Sequence, residues 1–171
     1  MSAAGTARTE PAVPFRTHSS EDGGVLAHTF FHAPTSTWQY IVVDRATKDA
    51  VLIDTALDFD SFAVAITTTT ADSLLQFVSQ QGYRVRKILE THAHADHLTA
   101  AQYLKRHLQV PVGIGCQIKG VQEHFGKAYA IPAEELDSAF DELWADGQAF
   151  SLGESECTVM HLPGHTPDHI G

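Results

Sequence analysis

The spacing of apolar and polar positions changes character along the chain. Val25–His32 and Thr37–Asp44 are rich in β-branched and aromatic residues, separated by the turn Ala33-Pro34-Thr35-Ser36, and AVLID at 50–54 is a third run of the same kind. These predict consecutive strands of one sheet. Within 71–78, Leu74, Leu75, Phe77 and Val78 share a helical stripe that Gly82 brings to a stop. VRKILE at 85–90 is then a strand, and 98–108, with Leu98, Ala101, Leu104 and Leu108 at spacings of three and four, is an amphipathic helix. VPVGI at 110–114 predicts a short strand, 117–125 a helix, 136–144 a helical turn or more, and ECTVMHL at 156–162 a last strand. An opening antiparallel meander followed by alternating strands and helices is an α/β layered fold with a mixed sheet.

With Pro11 and Pro14 among small polar neighbours, residues 1–22 predict an unstructured lead-in, which leaves 23–171 as one domain. A chain of 171 residues buries roughly 70% of its unfolded surface, enough for a single core. The net charge of −10 argues against a nucleic-acid or anionic-membrane partner. Seven of the 11 basic residues lie between Arg84 and Lys127, a stretch read as a solvated face. Cys116 and Cys157 are too few for a disulfide framework and are expected reduced and buried. No apolar run approaches the about 18 residues of a membrane span, and no apolar signal core opens the chain, so the cytoplasm is expected, with the mitochondrion as the alternative on account of Arg8 and Arg16.

The chemistry concentrates in His92-Ala93-His94-Ala95-Asp96-His97, between a predicted strand and a predicted helix. In extended chain, His92 and His94 point to the same side, and the turn into the helix swings Asp96 and His97 towards the same cleft. Imidazoles and a carboxylate at one rigid corner suit zinc, iron or manganese. A second candidate stands at His165, in Leu162-Pro163-Gly164-His165-Thr166-Pro167. Asp54, at the end of AVLID, can accept backbone N–H bonds that shape the ligand loop. Asp168 and His169 lie three and four residues beyond His165, but Pro167 interrupts any helix that would bring them to a shared metal. Asp58 and Asp60 are read as turn stabilisers, and His28, His32, His107, His124 and His161 as hydrogen-bonded or surface imidazoles.

These motifs, in this order, resemble the metallo-β-lactamase superfamily. The stretches 51–60, 88–101 and 121–126, with alanine at 95 where glyoxalase II enzymes carry a bulky aromatic, resemble its persulfide dioxygenase (sulfur dioxygenase) branch. The resemblance implies an αββα sandwich, present here as the N-terminal half plus the start of the second half, so that 23–171 is expected to be an incomplete domain. It implies a single Fe(2+) held by His92 and His165, with a third ligand, an aspartate in a Gly-Asp segment, expected beyond Gly171. His94, Asp96 and His97 then lie close to the metal, with Asp96 the candidate catalytic side chain; in the binuclear hydrolases of the superfamily all three bind zinc. The implied activity is oxidation of glutathione persulfide to sulfite and glutathione. The alternatives are a glyoxalase II-like Zn(2+) thioesterase acting on acylglutathione, and a non-catalytic truncated product that binds metal.

Overall fold

The computed structural model describes residues 12–171. Its opening strands are β1 (Arg16–Ser19), β2 (Val25–His32), β3 (Thr37–Asp44) and β4 (Asp49–Ile53), each antiparallel to the next. The chain then makes a small exposed hairpin, β5 (Asp58–Asp60) and β6 (Ala65–Thr67), and helix α1 (Thr69–Gln81) before re-entering the sheet as β7 (Arg84–Leu89). A crossover through a helix returns the chain in the same direction, and β7 is accordingly parallel to β4. Helix α2 (Ala101–Leu108) leads to β8 (Val112–Gly115), helices α3 (Ile118–Tyr129) and α4 (Ala133–Asp137) lead to β9 (Glu142–Trp144), and the sheet order is β1-β2-β3-β4-β7-β8-β9. The mixed sheet predicted from the alternation is therefore present. A final hairpin, β10 (Ala149–Leu152) and β11 (Ser155–Thr158), forms a sheet of its own.

The core lies on the face covered by α1 and α2. Phe30, Ile41, Val43, Leu52, Ile88 and Val112 from the strands meet Leu74, Phe77, Val78 and Leu104 from the helices. On the opposite face Val42, Val51, Ile53 and Leu89 line an apolar cleft together with Phe150, Cys157, Val159 and Ile170. No helix among the described residues is long and apolar enough to cross a membrane.

Several elements differ from expectation. The part of the lead-in that is described is not unstructured, since Arg16–Ser19 pairs with β2 along four residues; residues 1–11 lie outside the described residues. The run at 136–144 ends as strand β9, because pairing with the edge of β8 outweighs the local preference of so short a segment. The predicted strand at 156–162 divides: β11 pairs with β10, whereas Met160 and Gly171 exchange backbone hydrogen bonds at 2.8 and 2.9 Å. Helix α2 starts at Ala101 and not at Leu98, since Leu98 O accepts Leu57 N, Ala100 N donates to Thr55 O and Thr99 bridges Ala56. Both cysteines are free but only half-buried. Of the seven basic residues of that stretch, Arg84, Arg86, Lys87, Lys105, Arg106, Lys119 and Lys127, all but Arg106 meet a carboxylate: Arg84 and Arg86 meet Asp49, and Lys87, Lys105, Lys119 and Lys127 meet Glu142, Asp141, Asp137 and Glu123. Asp60 stabilises a turn as expected, accepting from Phe62 N and Ala63 N, but Asp58 instead anchors the start of α1 through Thr70 N and Oγ1.

Asp44 ties the β10–β11 hairpin to the sheet. Its carboxylate accepts from Thr47 Oγ1 and N and from Ser155 Oγ, and these bonds hold its pKa at about 2, below its ordinary 3.8. A depressed carboxyl stabilises the fold above its unfolded pKa, and that contribution is lost as the pH falls through the folded value. Asp44→Asn is expected to flatten the stability-against-pH curve between about 4 and 2, which denaturant titrations over that range would measure. An unchanged slope in that window would refute the assignment.

Candidate metal centre

Strand β7 ends at Leu89, and the motif follows as a loop running to Ala100, pinned at its start by Asp54. Asp54 adopts a left-handed backbone, φ 52°, and its own N–H donates to Leu89 O at 3.1 Å. Its carboxylate accepts from Thr91 N and Thr91 Oγ1, both at 2.8 Å, and from His94 Nε2 at 3.1 Å. The orienting role read for Asp54 in the sequence is thus consistent with three bonds to the ligand loop.

Thr91 passes that orientation on. A carboxylate can only accept, so the single hydroxyl proton of Thr91 goes to Asp54, and its oxygen accepts from His92 Nδ1, 2.8 Å away. His92 is left with the lone pair of Nε2, the form a ligand imidazole takes when its other nitrogen is tied to a chain ending on a carboxylate. Burial, reinforced by the charge on His94, pushes the His92 pKa down to about 4, so this ring is neutral at physiological pH.

His94 is held oppositely. Its Nε2 lies 3.1 Å from Asp54 Oδ1 and 3.2 Å from Glu90 Oε2. Burial works against its charge, but the hydrogen bonds and charges of the two carboxylates prevail and lift its pKa to about 10. Glu90 is 2% exposed, and burial raises its pKa against the opposing pull of His94 and Thr99. Its other oxygen accepts from Thr99 Oγ1, which also accepts from Ala101 N, so Glu90 links the two ends of the loop.

The remaining motif residues gather around these two rings. The centroid of His92 lies 4.1 Å from His94, 4.7 Å from His165 in an edge-on arrangement, and 4.8 Å from His169, stacked at 14°. His94 lies 4.3 Å from His97. Asp96, its side chain 62% exposed, sits 3.3 Å from His97 Nδ1 and 4.0 Å from His94 Nδ1. The predicted residues His92, His94, Asp96, His97 and His165 are thus brought together, although Asp96 and His97 come from the loop and not from the start of α2.

Among the described residues, two trios of ligand atoms lie within 4.8 Å of one another: His94, Asp96 and His97, and Asp54, Glu90 and His94. Both centre on His94. His97 Nε2 and His169 Nδ1 are buried without a hydrogen-bond partner; such nitrogens are costly unless a cation or donor meets them, so the donor set fits a divalent ion of the iron or zinc type. His169, set aside in the sequence because of Pro167, joins the cluster because the chain folds back as a short antiparallel bridge between His161 and Ile170. Asp168 does not join either trio. Sequence reasoning missed Glu90, Thr91 and Thr99, and weighed Asp168 only as a metal ligand; nothing in VRKILE, with Arg86 and Lys87 beside it, marks Glu90 out.

A family profile described as the Metallo-beta-lactamase superfamily matches residues 32–171. A Beta-lactamase hydrolase-like protein of Xylella fastidiosa is 44% identical over 138 residues, covering 80% of this chain and 32% of that protein. A probable metallo-hydrolase of Burkholderia pseudomallei is 44% identical over 140 residues, 81% of this chain and 48% of its own. Glyoxylase B2 of Dictyostelium discoideum is 34% identical, covering 78% and 47%. The crystal structure of ETHE1 from Myxococcus xanthus superposes with a TM-score of 0.62 at 26% identity, over 84% of this chain and 51% of that one. The chain spans about a third to a half of the length of these relatives.

Proposed function

The chain belongs to the metallo-beta-lactamase superfamily, and from that premise we propose that it carries the metal-binding half of a persulfide dioxygenase acting on glutathione persulfide. The carrying observation is the approach of the His92 and His165 rings to 4.7 Å, edge-on, beside a cleft lined by Ala93, Ala95, Val121, Phe125 and Pro167. Alanine at 95 leaves room there that a bulky aromatic would take, and so favours a substrate sulfur reaching His165. An Fe(2+) held by these two imidazoles would bind and activate dioxygen towards the substrate sulfur, with the sulfane sulfur itself giving up the four electrons that dioxygen takes and water supplying the third sulfite oxygen. The chain's own residues do the rest. Thr91 and Asp54 keep His92 in its ligating tautomer, His94 between Asp54 and Glu90 stiffens the loop, and exposed Asp96 beside His97 stands where it can take or give a proton. The third ligand would come from outside residues 1–171.

One observation favours a second reading. His94, Asp96 and His97 gather their ligand atoms within 4.8 Å, which suits a second ion and a glyoxalase II-like Zn(2+) thioesterase acting on acylglutathione. Hydroxyacylglutathione hydrolase of Rhizobium johnstonii is 33% identical over 109 residues. Anaerobic loading of the chain with iron or zinc, followed by oxygen uptake on glutathione persulfide and thiol release from an acylglutathione, separates the two. One iron per chain with oxygen uptake supports the dioxygenase. Two zincs with thiol release overturn it in favour of the thioesterase, and metal uptake with neither turnover leaves only a metal-binding unit.

A further inference from the structure

We propose that Asp168 is a positioning residue, a latch that fixes the spacing between the loop bearing His92 and the loop bearing His165. Its side chain is fully buried, and Oδ2 accepts from Ala93 N at 3.0 Å, across 75 residues of sequence. Ala93 is the residue between His92 and His94, so this bond grips the first ligand loop at its centre. The grip comes from the segment that presents His165. Residues 160–162 and 169–171 run antiparallel, with Leu162 N donating to His169 O and Gly171 N to Met160 O, and Ile170 N donates to Thr91 O at 2.9 Å. The second loop is therefore fastened to the first at both Thr91 and Ala93, on either side of His92.

Two further observations fit a latch. A Cβ at Gly115 on β8 would lie 2.9 Å from Asp168 O and 2.7 Å from Ile170 Cγ2, so only glycine lets this segment seat against the end of the sheet. Asp168 Oδ1 is buried without a hydrogen-bond partner, a costly state for a carboxylate that Ala or Gly at this position would avoid. The one oxygen of Asp168 with a partner is committed to a backbone N–H of the ligand loop, which is what a positioning role requires. Without the latch, the backbone bond from Ile170 is the remaining hydrogen bond of this segment to the His92 loop, and the packing of Ile170 against Trp144 and Val159 does not grip that loop at Ala93.

The proposal rests on the reading that His92 and His165 share an ion, and its test uses zinc alone as the probe on the full chain. Asp168→Ala is expected to weaken zinc affinity about 10–100-fold, the usual effect of losing a group that orients a ligand. Asp168→Asn keeps a carbonyl oxygen for Ala93 N and is expected to recover most of that loss. A purely structural role would lower the melting midpoint of the metal-free protein without moving the affinity of the folded fraction. Wild-type affinity in Asp168→Ala would overturn the latch, as would Asp168→Asn binding as weakly as Asp168→Ala, since charge and not the hydrogen bond would then be at work. Hydrogen exchange of the Ala93 amide in the wild-type, metal-free chain gives an independent answer: protection supports the latch, and exchange at the rate of an open amide overturns it. If the wild-type chain takes up no zinc, the proposed function fails while the amide measurement still decides the latch.

Discussion

Replacing His92 with alanine is expected to abolish tight uptake of a divalent ion, a loss beyond the about 10–100-fold that follows from removing an outer orienting group. His92 is 7% exposed, neutral at physiological pH, and presents Nε2 because Thr91 and Asp54 occupy Nδ1. It is also the ring against which His94, His165 and His169 all pack. Titration of metal-free wild type and His92→Ala with zinc in the presence of a competing chelator measures the difference. His107→Ala, an exposed ring on α2 whose Nδ1 donates to Tyr103 O, is the control and is expected to bind as wild type does. Equal affinity in His92→Ala and wild type would move the centre to the trio of His94, Asp96 and His97 and remove the basis for a site shared with His165.

The sheet was legible where strands are long. Val25–His32 and Thr37–Asp44 were readable from β-branched and aromatic content, and α1 from a stripe that places Leu74, Phe77 and Val78 against the sheet. The elements that escaped are three- or four-residue strands. β5, β6 and β9 have three residues each, too few for a period to emerge, and they exist because a partner strand supplies their hydrogen bonds.

The same division holds in the site. The histidines and Asp96 stand out because ligand types crowd six consecutive positions, a property of sequence alone. Glu90, Thr91 and Asp168 work through bonds that tertiary folding creates, to His94 and Thr99 across the loop, to Asp54 across 37 residues and to Ala93 across 75. Nothing local distinguishes such a residue from any other acid or hydroxyl. Pro167 was correctly read as stopping a helix, yet the bridge between His161 and Ile170 that follows it brought His169 to His92 by a route the helical argument did not consider.

The second large effect is expected at Asp54. Asp54→Ala leaves the buried, charged His94 with Glu90 as its remaining carboxylate, frees Thr91 N, and places alanine at φ 52°. Removing one partner of a buried pair costs about 3–5 kcal/mol. Asp54→Asn tolerates the left-handed backbone and keeps an acceptor for Thr91 N, so its loss is expected nearer the about 1.5–3 kcal/mol of a hydrogen bond to a charged group. Urea unfolding of the chelated, metal-free variants measures both. The pH dependence has a definite sign. Burial opposes the charge of Asp54, but His94 and Thr91 prevail and hold its carboxyl below its ordinary 3.8, so its contribution is present above that value and lost in acid. His94 is raised from 6.5 to about 10, so its contribution is complete below 6.5 and disappears as the pH climbs towards 10. The deficit of Asp54→Ala is therefore expected to be largest between about pH 4 and 6.5 and to shrink towards pH 10. A deficit within about 0.5 kcal/mol of zero, the range of ordinary surface substitutions, would mean that Asp54 does not hold the ligand loop, and the chain of bonds through Thr91 to His92 would lose its anchor.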